Sequence, residues 1–217
     1  IIAGLPGGEG AYDRAGIRAA VDHFNQFDND SYRANLIAFL KAITPAAESA
    51  GVRMVIHPDD PPFSLFGLPR VVSTAEDVRK LRAAVASASN GLTLCAGSFG
   101  ARGDNDLVGM VREFGEHIHF VHLRNIRREA DGSFYESAHL DGDNDIVGLV
   151  SALLDLELAA GAEGRQIAMR PDHGHTMALE QDDPRLQPGY SYAGRMKGLA
   201  ELRGVVHALT RVKQAAL

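Results

Sequence analysis

Cysteine is almost missing from this 217-residue chain: Cys95 stands alone, which excludes an internal disulfide framework and fits a reducing, cytoplasmic setting. Long apolar runs are missing too. None approaches the ~18 residues of a membrane span, and no signal-peptide layout is visible, so no membrane partner is expected. Basic residues are outnumbered, 22 Lys and Arg against 28 Asp and Glu, giving a net charge of −6 and a pI near 5.8. A nucleic-acid binder would normally carry a basic stripe, so no nucleic-acid partner is expected. A small anionic substrate remains open, because local arginines override a net field. The opening "IIAGLPGGEG" matches neither a phosphate-binding P-loop nor a strand-anchored GxGxxG, and no GxSxG elbow occurs. That opening also lacks an initiator Met and reads as loop, so a fragment, a processed form or the ordered part of something longer is expected. There is no low-complexity tract and no strict repeat.

What the chain does have is a recurring way of ending its apolar runs. "MVIHPDDPP" stops at His57, followed by Asp59 and Asp60; "LTLCAGS" stops at Cys95; "IHFVHLRN" stops at His122; "IAMRPDHGH" stops at Asp172 and His173. Each run is a strand, expected over 52–57, 92–96, 118–123 and 166–170. Between them lie helical patterns. Leu36, Phe39, Leu40, Ile43 and Ala47 share one face over 33–50, with Pro45 set to kink it or to start its last segment. Ser73 and Glu76 form a capping box opening a helix through about Ala88. Asp104 or Asn105 is expected to cap the next helix, Asp143 the one after, and a last helix covers about 191–212.

Strands alternating with helices indicate right-handed βαβ units around a parallel sheet. Strands apolar on both faces belong there, and ligands bind at the carboxyl edge of such sheets. Four strands leave three architectures open: a half-barrel, a small doubly wound sheet, or a barrel lacking its first half.

Imidazole, thiolate and carboxylate together suit a divalent ion of intermediate softness, such as Mn2+, Fe2+ or Zn2+. The spacing of His57, Cys95, His122 and Asp172 is too irregular for a zinc knuckle and suits successive βα units that each offer one ligand at a shared rim. Any one of them alone reads as an ordinary core or loop-mouth residue; the coincidence of four favours a common metal. Asp59 and Asp60 are candidates to orient a ligand imidazole. His173 is a proton-transfer candidate, and Tyr190, presented by the Pro-Gly turn of "PGYSYAGR", is either a donor to substrate or a packing anchor. Arg70, Arg124 and Arg170 bring positive charge towards the rim; Arg124, two residues past His122, suits a substrate carboxylate. His139, in the loop after the third strand, is a further substrate contact.

"FLKAITPAAESAGVRMVIHPDDPP", "GLPRVVSTAEDV", "LCAGSFGARGDNDL", "HFVHLRN", "AHLDGD", "MRPDHGH" and "PGYSYAGR" together resemble the mannonate dehydratase family across essentially the whole chain. The resemblance implies an α/β fold of the (β/α)8 TIM-barrel type, with residues 1–217 forming a single domain that holds about the C-terminal half of the barrel. It implies a hydro-lyase that removes water from D-mannonate to give 2-dehydro-3-deoxy-D-gluconate in hexuronate breakdown, with Mn2+ or Fe2+ as cofactor. By matching position, His57, Cys95, His122 and Asp172 would be the metal ligands and His173 and Tyr190 the acid/base pair, with Asp172 assisting. Arg124 and His139 would touch substrate. "FSLF", residues 63–66, departs from the family pattern beside the metal-ligand loop. The competing readings are a metal-dependent sugar isomerase on the same type of barrel and a non-catalytic relative that binds a metal or a sugar acid. A homo-oligomer is compatible with either.

Overall fold

The computed structural model describes residues 13–161 and 164–216. The opening stretch read as loop, 1–10, lies outside them. Four strands form one parallel sheet: β1 (Met54–Ile56), β2 (Asn90–Cys95), β3 (Ile118–His122) and, last, β6 (Ala168–Arg170), in the order β1-β2-β3-β6. Neighbours in the sheet follow chain order, so right-handed crossovers place the connecting helices on one face. That is the arrangement of a (β/α) barrel; a doubly wound sheet would reverse its order. The register pairs Ile56 with Leu92, Cys95 with His122 and His122 with Arg170, so the carboxyl ends lie side by side.

The helices are α1 (Arg14–Phe24), α2 (Asn29–Ser49), α3 (Ala75–Ala84), α4 (Ala96–Gly100), α5 (Leu107–Phe114), α6 (Ile146–Ala159) and α7 (Tyr192–Ala215). Leu94, Phe99, Val111, Ile118, Leu149 and Leu153 form the centre of the core, each almost wholly inaccessible. β2 is buried along its whole length, whereas β1 and β6, at the ends of the sheet, leave residues such as Val55 and Arg170 accessible.

Several element boundaries differ from the sequence expectation, each for a local reason. Pro45 lies inside α2 without ending it. The third helix is capped by Thr74 and Asp77 rather than Ser73 and Glu76, and ends at Ala84 because Val85 leaves the helical conformation (φ −139°, ψ 84°). Asp106, not Asp104 or Asn105, caps α5, its Oδ1 accepting from Gly109 N at 2.9 Å. Asp145, not Asp143, caps α6 through Gly148 N at 2.8 Å. In both cases the effective cap is the Asp three residues before a glycine. Two features were not foreseen: α1, and an antiparallel hairpin of β4 (Ile126–Arg128) and β5 (Phe134–Glu136).

Asp77 ties α3 to α2. Burial works against its charge, but hydrogen bonds from Ser73 N, Arg33 and Thr74 outweigh burial and hold the carboxyl below the usual range. Because that pKa is depressed on folding, the stabilisation is complete above the ordinary carboxylate value and is lost as pH falls through the lowered one. Asp77→Asn is expected to lower stability by roughly 1–3 kcal/mol at pH 7, with the deficit shrinking below about pH 4. Urea unfolding of both proteins at the two pH values measures it. Glycines of α7 give a second contrast. A Cβ on Gly198 would stand 2.1 Å from the His139 ring, whereas one on Gly204 would meet nothing within 4 Å. Gly198→Ala is expected to cost about 1–3 kcal/mol through overpacking, and Gly204→Ala to gain up to about 1 kcal/mol from helix propensity; thermal unfolding reads the opposite signs.

Candidate metal centre and its surroundings

The parallel register delivers four side chains to one point. Cys95 and His122 end β2 and β3, His57 follows β1 directly, and Asp172 lies two residues beyond β6. One ligand atom from each of His57, Cys95, His122 and Asp172 lies within 4.8 Å of every other. A cation bound at about 2.0–2.4 Å has donors no farther apart than that, so the set fits one ion. His57 Nε2 stands 3.2 Å from His122 Nδ1, which stands 3.2 Å from Asp172 Oδ2. Cys95 and His122 are buried and His57 is accessible, so the cluster opens to solvent on the His57 side.

Local structure aims each donor. His57 Nδ1 meets Pro58 O at 2.7 Å, which turns Nε2 towards the cluster. Ser98, on the first turn of α4, donates to Cys95 Sγ at 3.2 Å. Asp172 adopts a left-handed backbone, φ 67°, rare for a residue with a side chain. Burial disfavours the Asp172 charge, yet the hydrogen bond from His122, with His122, His173 and Arg170 nearby, holds its carboxyl far below the usual range. Burial likewise works against a charged His122, and contacts with Asp172 and Cys95 outweigh it, raising its pKa.

The other expected residues fall into two groups. His173 and Tyr190 sit at the cluster: their rings are 4.6 Å apart, and His173 Nε2 is 3.6 Å from Asp172 Oδ2. Burial, and then the charge of Asp172, raise the Tyr190 phenol above its ordinary pKa. Arg124 and His139 are close by but nearly inaccessible, at 4% and 2% exposure. Arg124 is held by Glu136, from Nε at 3.0 Å and Nη2 at 2.6 Å, and by Asp60 from Nη1 at 2.5 Å. Its stem crosses Gly97 where a Cβ would stand 2.2 Å away. His139 lies under α7 with Nε2 3.3 Å from Pro171 O. Both side chains are nearly inaccessible and engaged with neighbouring protein groups.

Asp59 and Asp60 do not meet a ligand imidazole. Asp59 Oδ2 accepts from Val71 N, Val72 N and Ser73 Oγ, closing the 59–73 loop. Arg70 lies in that loop, donating to Phe63 O at 3.4 Å. Arg170, by contrast, is accessible and pairs with Asp172 Oδ1 at 2.5 Å. One residue had no forecast at all: Glu136 on β5 accepts from His173 Nδ1 at 2.8 Å. The signal available for it was the Asp131-Gly132 turn, which folds β5 back over β4 towards the rim.

The chain is similar in sequence and in fold to known proteins. A mannonate dehydratase from Saccharophagus degradans is 68% identical over 212 residues, covering 96% of this chain and 53% of the relative. The crystal structure of mannonate dehydratase from Streptococcus suis serotype 2 superposes with a TM-score of 0.82 at 35% identity, covering 93% of this chain and 57% of that one. A xylose isomerase domain protein from Planctomyces limnophilus aligns with a TM-score of 0.57 at 12% identity over 85% of this chain and 55% of that one, a likeness of fold alone. The chain spans about half the length of the curated relative it matches. The family profile described as D-mannonate dehydratase (UxuA) matches residues 1–216, and the chain belongs to that family.

Proposed function

We propose that this chain carries the metal and proton-transfer apparatus of a D-mannonate dehydratase, a cytoplasmic hydro-lyase that converts D-mannonate to 2-dehydro-3-deoxy-D-gluconate and water. The observation that carries the reading is the convergence of His57, Cys95, His122 and Asp172 within one coordination sphere, with His173 and Tyr190 beside it. The two imidazoles, thiolate and carboxylate would hold Mn2+ or Fe2+. Bound there, the ion supplies electrostatic stabilisation of the negative charge that develops beside the substrate carboxylate and 2-hydroxyl.

The chain's own residues divide the rest of the work. Dehydration takes a proton from C2 and protonates the hydroxide leaving C3, after which the enol relaxes to the ketone. His173 and Tyr190 are the base and acid for those transfers. Tyr190, as a phenol, carries its proton at neutral pH and has one to give. Asp172 assists electrostatically: its Oδ2, 3.6 Å from His173 Nε2, favours the positive charge the ring gains once it has taken the proton. Arg170 is the accessible cation of the rim and suits the substrate carboxylate. Arg124 and His139 act through what they hold: Arg124 through Glu136 and Asp60, His139 through the carbonyl preceding Asp172.

Metal-loaded protein incubated with D-mannonate is expected to release a 2-keto-3-deoxy acid. Chelation is expected to remove turnover, and added Mn2+ or Fe2+ to restore it. Cys95→Ser and His122→Ala should each lower bound metal and reduce turnover by more than about 100-fold. Product analysis and metal analysis on the same samples decide the matter: an isomer of the substrate, or turnover indifferent to chelation, would sink the reading.

A further inference from the structure

We infer that Glu136 is a positioning residue, one that fixes His173 as a ring with its proton on Nδ1 and its lone pair on Nε2, turned towards the metal cluster. The inference rests on the assignment of His173 to proton transfer. Its geometry is independent of that assignment. Glu136 Oε1 lies 2.8 Å from His173 Nδ1, and the opposite ring nitrogen faces Asp172 Oδ2 at 3.6 Å. A carboxylate only accepts, so Nδ1, at hydrogen-bond distance from Glu136, carries the proton whether the imidazole is neutral or charged, whereas Nε2 at 3.6 Å makes no hydrogen bond to Asp172. The nitrogen left to accept a proton is then Nε2.

Glu136 is itself held. The Arg124 guanidinium meets both of its oxygens, Nε at 3.0 and 3.1 Å and Nη2 at 2.6 Å, and Asp60 grips the far side of that guanidinium at 2.5 Å. Planar, forked and permanently charged, arginine fixes a carboxylate in orientation as well as in place. Burial opposes the Glu136 charge, but His173 and Arg124 together keep its pKa below the ordinary value, in keeping with an ionised acceptor. The chain Asp60–Arg124–Glu136–His173 thus joins the loop after β1, the end of β3, the hairpin and the loop after β6. A side chain that merely filled space would need neither the fork nor its second carboxylate.

Glu136→Gln keeps the shape but removes the charge, and its amide competes for both partners. With D-mannonate it is expected to lower kcat by roughly 10- to 100-fold, with KM changed less than about threefold and bound metal unchanged. Glu136→Asp, which keeps the charge but withdraws the oxygens from Nδ1, is expected to fall between the two and serves if the Gln variant does not fold. Nitrogen-15 spectra of the histidine rings in the zinc-loaded protein supply a readout apart from activity. The wild type should show His173 protonated at Nδ1, and either variant a mixture of tautomers. An unchanged tautomer, an unchanged kcat, or loss of metal in parallel with kcat would overturn the inference. If the wild type failed to dehydrate mannonate while the tautomer shifted as expected, the dehydratase reading would fall and the positioning by Glu136 would stand.

Discussion

Everything at the rim depends on the parallel alignment of four strand ends. In a parallel sheet whose neighbours follow chain order, each carboxyl terminus emerges on the same edge, about 4.8 Å from the next. One donor at or just past each end therefore lies within reach of the others with no special loop design. The pairing of Cys95 with His122 and of His122 with Arg170 is that constraint in residue terms. It comes at a cost, because donors with lone pairs are crowded where burial weakens solvation. His122 and Asp172 relieve part of it through their contact at 3.2 Å, and a dication would satisfy the full set.

Around the donors lies a second ring of charge that does not point at the cluster. Asp60, Arg124 and Glu136 alternate in sign and reach His173 from behind. Buried ion pairs seldom stabilise a fold more than apolar packing would. Their presence here is better understood as a means of fixing orientation. The hairpin that carries Glu136 has little core of its own: only Ile126 among its strand residues is buried. Its tie to the sheet runs through Arg124, Asn125 and the loop that follows it.

Much of this was written plainly in the chain. The apolar runs were legible as strands because both faces of a parallel strand are covered, and the candidate ligands were legible because each interrupts such a run at its end. Helix periodicity located α2, α3, α5, α6 and α7, while caps were misplaced by one or two residues because Asp and Asn cluster before several of them. The hairpin was hidden by "NIRREADGSFYE", where Arg127, Arg128, Glu129 and the exposed Tyr135 mask two strands of three residues each. Beyond the Asp131-Gly132 turn nothing in the sequence marks Glu136: its partner is 37 positions away, and only the folded hairpin brings the two together. The partners of Arg124, Asp60 and Glu136, were not legible, since an arginine near a rim looks the same in sequence whether it faces solvent or a carboxylate.

The left-handed backbone at Asp172 limits what that position can become. Among residues with side chains, asparagine and aspartate enter this region most readily, their short polar groups bonding locally. Glutamate offers the same carboxylate but carries an ordinary steric penalty there, so a longer acidic arm would have to be accommodated in the main chain before it reached any ion. Substitution at this site is thus channelled towards asparagine, which preserves the turn and discards the charge.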